Sequence, residues 1–183
     1  MTIYKPAEDS YLMSETLKNY LKEKIKNKKI SKQIKILDLG TGSGIQAQTC
    51  KKLGFKNILT ADINPEVIKF VKKKGFKSIK SNLFSKLKIK KFSLIIFNPP
   101  YLPENKYDKK PDTTGGKKGY ELILKFLNQA KYHLTTDGEI LILFSSFSKP
   151  RIIKKHAKFL GYNLKQLNQT NIFFEKLFIY LLN

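Results

Sequence analysis

Apolar residues at near-helical spacing open the chain. Leu12, Leu17, Tyr20, Leu21 and Ile25 predict an amphipathic helix over about 10–24. A lysine-rich connector follows, and Ile34-Lys35-Ile36-Leu37-Asp38 then reads as a short buried strand. It ends at Gly40-Thr41-Gly42-Ser43-Gly44, with a helix beginning near Ile45. A second strand is predicted over 57–62. Pro65 opens the next helix, to about Lys74, and Gly75 closes it. A short third strand covers about 78–80. The fourth, Phe92 to Phe97, is almost wholly apolar, as a strand buried on both faces of a parallel sheet must be.

A loop rich in Pro, Gly, Asp and Lys runs over 102–118, before a helix over about 120–134, a turn at Asp137-Gly138 and a fifth strand over 140–144. Pro150 opens a last helix, to about Leu160, which Gly161 ends. Two late apolar segments, 162–167 and 174–182, suggest an antiparallel hairpin at or near a sheet edge. Strands alternating with helices predict an open α/β sheet covered on both faces.

Composition narrows the setting. A chain of 183 residues, 41% hydrophobic, suits one folded domain with a proper core, preceded by a short helical extension over about 1–30. No apolar run approaches the roughly 20 residues of a membrane span, and Met1 to Leu12 lacks a signal-peptide layout. Cys50 is the single cysteine, so no internal disulfide forms; a cytoplasmic location is expected, with Cys50 buried on a helix. The net charge of +22 favours anionic partners such as ribosomal RNA or tRNA. The lysines are nevertheless spread along the chain, and Arg151 is the only arginine. Charge therefore speaks to association and leaves the chemistry open.

The chemistry is read from strand ends, where open α/β sheets bind ligands. Gly40, Gly42 and Gly44 allow a tight turn and close approach of a ligand to the backbone. Their G-x-G-x-G spacing differs from the dinucleotide fingerprint, and no phosphate-binding Lys-Ser/Thr pair follows. Asp38 before this turn suits the amino group of S-adenosyl-L-methionine. Asp62, ending the second strand, suits the ribose hydroxyls, although Asp62-Ile63-Asn64-Pro65 also suits a helix cap. Asn82 and Leu83 follow the third strand and suit the adenine.

The fourth strand ends in Asn98-Pro99-Pro100-Tyr101. An amide or aromatic-amine nitrogen is a poor nucleophile because its lone pair is delocalised. Two fixed acceptors for its N–H groups, the Asn98 side-chain oxygen and the Pro99 carbonyl, would aim that lone pair at a methyl donor, with Tyr101 stacked on the planar group. His133 and His156 are far apart in sequence, and no metal-ligand cluster, Ser/His/Asp or Cys/His constellation can be built.

Together with Tyr4-Lys5-Pro6-Ala7-Glu8-Asp9-Ser10, Ser81-Asn82-Leu83-Phe84, Asn98 to Pro103 and Gly115-Gly116-Lys117-Lys118-Gly119, these motifs resemble the HemK-type glutamine methyltransferases of peptide release factors, most closely their short archaeal and eukaryotic branch. The resemblance covers about 4–142. It implies a Rossmann-like class I methyltransferase fold with seven mostly parallel strands. It also implies N5-methylation of the glutamine in the Gly-Gly-Gln loop of a class I release factor, with S-adenosyl-L-homocysteine as co-product. Its cofactor contacts map onto Ser10, Asp38, Gly40, Asp62, Asn82 and Leu83, and its glutamine binder onto Asn98 to Tyr101.

Two departures stand out: Asn82 where the family has Asp, and Thr113-Thr114 where it often has Trp-Ala. The family's short branch also implies a small zinc-binding activator that adds to the sheet edge in a heterodimer, with the zinc held by that partner. Rival readings are N6-adenine methylation of RNA or DNA, protein lysine methylation, and a scaffold that binds cofactor without catalysis.

Overall fold

The structure is a computed structural model and describes residues 3–104 and 114–183. Helix α1 spans Glu8–Lys26. Strand β1 (Ile36–Leu39), helix α2 (Ile45–Lys52), β2 (Ile58–Asp62), α3 (Pro65–Lys73), β3 (Lys77–Lys80) and β4 (Phe92–Phe97) follow. After α4 (Glu121–Ala130) come β5 (Leu134–Ser145), α5 (Pro150–Phe159), β6 (Leu164–Ile172) and β7 (Glu175–Leu182). The seven strands form one sheet in the order β3-β2-β1-β4-β5-β7-β6. Strands β1 to β5 are mutually parallel, while β7 runs antiparallel to both β5 and β6. The expected open sheet with a C-terminal hairpin at its edge is therefore present.

Strand alternation builds two cores from one set of strands. On one face Leu37, Leu39, Ile95, Phe97, Ile140, Ile142 and Phe144 pack against α4 and α5. On the other, Ile36, Leu94, Ile96, Leu141 and Leu143 pack against Met13, Leu17 and Leu21 of α1, Ala47 and Cys50 of α2, and Val71 of α3. Each fully buried Leu, Ile or Phe contributes roughly 1.5–3 kcal/mol. The N-terminal helix is thus part of the core, and Lys24 ties it to Glu139 of β5 at 2.8 Å, beside the Tyr20 hydroxyl that donates to the same carboxylate.

Two expectations need correction. The helix predicted to reach Leu134 stops at Ala130, passes through a 3₁₀ turn at Lys131–His133, and gives way to a strand because Leu134 pairs with Phe92. Asp137-Gly138 is not a separate turn. It lies inside β5, where the register jumps from Phe92↔Leu134 to Leu94↔Glu139. A Cβ on Gly138 would come within 2.9 Å of the Phe92 carbonyl, so only glycine fits this irregularity. Most of the loop expected over 102–118, with Thr113, lies outside the described residues.

Candidate active site

The carboxyl ends of β1, β2, β3 and β4 open on one cleft of about 410 Å³. Ser10, Asp38, Gly40, Gly42, Asp62, Asn82, Leu83 and the whole of Asn98 to Tyr101 line it. Gly44 does not. It takes a left-handed φ of 77° at the start of α2, and a Cβ there would meet the Val71 side chain at 3.1 Å. Its role is to close the turn onto the helix.

The two aspartates hold the turn. Asp38 is buried, and its Oδ2 accepts from Thr41 Oγ1 at 2.6 Å and from the Ala47 amide at 3.1 Å. Burial raises its carboxyl to about 7, against the lowering effect of those two donors. Asp62 Oδ2 accepts from the Gly42 amide at 3.1 Å, and its Oδ1 from the Asn64 amide at 2.9 Å. The cap of α3 is Asn64, whose Oδ1 accepts from the Glu66 amide at 2.9 Å. That resolves the double reading of 62–65: Asp62 faces the cleft and Asn64 caps the helix.

Near Asn82, Ser81 does the local work. Its hydroxyl donates to the Leu83 carbonyl at 2.7 Å and accepts from the Lys86 amide at 3.1 Å. Leu83 is buried with a left-handed φ of 47°.

At the other end of the cleft Asn98 Nδ2 donates to Asp9 Oδ2 at 2.8 Å. A carboxylate only accepts here, so this bond fixes which way the amide points. Asn98 Oδ1 is left buried and without a hydrogen-bond partner. Asp9 is itself held by the Tyr4 hydroxyl at 3.0 Å and the Ser10 hydroxyl at 3.3 Å, both onto Oδ1. Burial and the Asp9 charge together push the Tyr4 and Tyr101 hydroxyls well above the usual phenol range, so both stay protonated.

A second unpartnered acceptor lies in the same cleft. Gln46 donates through Nε2 to the Ser10 carbonyl at 3.0 Å, and its buried Oε1 has no partner. Burying such an acceptor unpaired costs about 1–3 kcal/mol, so both atoms mark places where a ligand donor is expected.

The Gly-Gly motif supports the Asn98 loop from behind. Leu102 bridges to Thr114, and the Gly115 amide donates to the Leu102 carbonyl at 2.8 Å. A Cβ on Gly115 would stand 2.7 Å from the Pro100 carbonyl. Glu121 fastens the next turn by accepting from the Lys118 and Tyr120 amides. Sequence reasoning missed Asp9, Tyr4 and Gln46 as site residues. The first two stood inside a quoted motif without a role; Gln46, in the first turn of α2, gave no signal of its own.

A family model described as the methyltransferase small domain matches residues 14–173. The chain belongs to this family. It is accordingly a methyltransferase, and its fold is that of the class I enzymes. A protein of Methanocaldococcus jannaschii, named as a candidate protein N5-glutamine methyltransferase, is 33% identical over 97% of this chain and 89% of its own length. A release factor glutamine methyltransferase of Borreliella burgdorferi is 35% identical over 59% of this chain, which spans 43% of that protein.

Among solved structures, a chain of the E. cuniculi Mtq2-Trm112 complex, responsible for methylating the translation termination factor eRF1, superposes with a TM-score of 0.79. It does so at 22% identity, over 100% of this chain and 99% of the other. Among the described residues no helix is long and apolar enough to cross a membrane.

Proposed function

We propose that this chain transfers a methyl group from S-adenosyl-L-methionine to the side-chain nitrogen of the glutamine in a Gly-Gly-Gln loop of a class I peptide release factor. The observation that carries the reading is Asn98 Oδ1: a buried acceptor without a partner, its orientation fixed by Asp9, at the end of the cleft. The relatives named for glutamine methylation support the choice of acceptor.

When bound, S-adenosyl-L-methionine would supply an electrophilic methyl: its S–CH3 bond breaks as the N–CH3 bond forms, S-adenosyl-L-homocysteine leaves, and the methylated nitrogen gives up one N–H proton to solvent. The donor set suits it. Asp38 and the orphan Gln46 Oε1 match its amino group, Asp62 its ribose hydroxyls, and Asn82 with Leu83 its adenine. Ser10 and the Gly40 to Gly42 backbone form the wall between. Asn98 Oδ1 accepts one N–H of the glutamine amide, the Pro99 carbonyl accepts the other, and Tyr101 covers the amide plane. So held, the nitrogen lone pair points along the cleft, which converts an encounter of partners into a fixed approach. Asp9 is a positioning residue: it prevents the Asn98 amide from turning its N–H groups toward the substrate.

The partners proposed are the release factor, a small zinc-binding activator forming a heterodimer, and ribosomal RNA or tRNA contacted through the lysine-rich surface. The structural neighbour solved as a two-protein complex supports the activator, and the +22 charge supports the RNA contact. The place of action expected is the cytoplasm.

One experiment separates the readings. The chain, alone and with a candidate activator, is incubated with methyl-labelled S-adenosyl-L-methionine, release factor, histone-type lysine-rich protein and bulk tRNA. Label on the release factor, lost when its Gly-Gly-Gln glutamine becomes alanine, supports the proposal. Label confined to tRNA establishes the adenine reading instead, since an exocyclic amine fits the same two acceptors. Label on lysine would establish the third reading.

A further inference from the structure

The cleft has room for a cofactor and one side chain, whereas the proposed substrate is a protein. A larger contact surface has to lie beside it. Phe173 and Phe174 are the two residues joining β6 to β7, and each is 96% exposed. Ile172 pairs with Glu175 across them, so they form the tip of a two-residue hairpin. Phe173 has a φ of 50°. That position of a tight hairpin favours glycine, and a bulky side chain rarely occupies it. Two large apolar side chains stand in water where glycine would fold more easily. Such a combination of strain and exposure marks a functional surface.

The tip also stands at the right end of the molecule. Strand β7 is antiparallel to β5, and Leu177 pairs with Ser145 at the carboxyl end of β5. The hairpin therefore projects from the same end of the sheet as Asn98. A short chain of bonds ties the two together: the Lys176 amide donates to Ser146 Oγ at 3.1 Å, and Ser148 Oγ donates to the Tyr101 carbonyl at 3.0 Å. Between them Phe147 is 45% exposed. Glu175, the residue after the tip, interacts electrostatically with both Asp9 and Tyr101.

We propose that Phe173 and Phe174, with Phe147 beside them, form an aromatic platform that grips apolar side chains of the substrate protein flanking the methylated glutamine. This rests on the protein-substrate reading above. A polypeptide fits better than a phosphodiester chain because the tip itself, residues 172–174, is wholly apolar and offers no cation to a phosphate. Continuity with the mouth of the cleft points to the substrate more than to a second copy of this chain.

The test is the double variant Phe173→Gly, Phe174→Ser. It puts the favoured residue at the left-handed position, so it should fold at least as well as the parent, which a thermal melt checks. With intact release factor as acceptor, KM should rise about ten-fold while kcat and S-adenosyl-L-methionine affinity stay unchanged. With a five-residue peptide centred on the glutamine, the variant and the parent should react equally.

An unchanged KM for intact release factor would overturn the platform while leaving glutamine methylation standing. So would an equal defect on the short peptide, a parent dimer that the variant loses, or parent binding to lipid vesicles that the variant loses. Label appearing on RNA and not on protein would overturn the platform and the substrate reading together. A photo-crosslinking residue at Phe174 that captures release factor through its flanking segment would support it independently.

Discussion

The carboxyl and amino ends of the parallel strands carry opposite chemistry on the same scaffold. At the carboxyl ends stand Asp38, Asp62 and Asn98, with Asp9 brought to them by α1. The carboxylates of the three aspartates are spent on specific donors, backbone amides at Gly42, Ala47 and Asn64 and hydroxyls at Tyr4, Ser10 and Thr41, while Asn98 Oδ1 is left without a partner. The segments that enter β1 to β4 at the opposite end run from Lys26 to Lys35, Lys51 to Lys56, Lys72 to Lys77 and Lys88 to Lys91. They hold fifteen lysines and no carboxylate. A general bias toward lysine would add positive charge everywhere without sorting the acids. The two ends therefore differ in what they offer: fixed hydrogen-bond geometry at one, and positive charge without carboxylates beside it at the other.

The largest effect expected is at Asn98. Asn98→Ala should lower methyl transfer by about a hundred- to a thousand-fold, the scale for losing one preorganised polar contact. S-adenosyl-L-methionine affinity by calorimetry should stay within about two-fold. Equal loss of binding and turnover would move Asn98 from the acceptor to the cofactor.

Next comes Asp9→Ala, which leaves the Asn98 amide able to flip. We expect kcat to fall roughly thirty- to a hundred-fold, the scale of a modest misplacement of a reacting group. A normal kcat would remove Asp9 from the site. Asp62→Ala should weaken the cofactor about ten-fold or more, since a charged acceptor contributes roughly 1.5–3 kcal/mol. Release-factor KM should remain unchanged.

A fourth test uses pH. Asp38 is held near 7 in the free protein against 3.8 ordinarily, so the folded chain keeps a proton that the unfolded chain loses. Stability of the free protein should therefore fall as pH rises from about 4 to about 7, and level off above. A cationic amino group beside Asp38 favours its charged form. Cofactor binding should then release a proton below pH 7, and affinity should strengthen by about ten-fold between pH 6 and 8. Asp38→Asn should flatten that dependence, and a steep profile in the variant would refute the pairing.

The smallest effect on catalysis belongs to the other end. Replacing Lys28, Lys52, Lys56 and Lys90 by Gln should leave methylation of isolated release factor within about two-fold. It should also lower the salt dependence of RNA binding by about three counterions. An unaltered salt slope would show that these lysines serve solubility alone.

What the sequence disclosed depended on how local the cause was. The run Phe92 to Phe97 and the turn Gly40 to Gly44 announce themselves because strand burial and left-handed backbone impose their own residues. The path from Ala130 to Gly138 did not. Leu134 continues the helical spacing of Ile123, Leu127 and Ala130, and only its pairing with Phe92, 42 residues earlier, draws it into the sheet. Asp9 was equally opaque, because its bond to Asn98 spans 89 positions. The strain at Phe173 has no signature in residue type, since phenylalanine is otherwise an ordinary strand residue.

Strand β7 has a consequence for how the chain is made. It follows β6 in sequence yet lies between β5 and β6 in the sheet. Until residues 175–182 have been synthesised, the full edge of β5 at Ile140 to Ser145 has no partner, and β6 has nothing to join. The nascent protein thus carries an open, strongly apolar strand edge from the completion of β5 at Ser145 until β7 has been added. Its folding should be late and all at once, sensitive to chaperones that shield such edges.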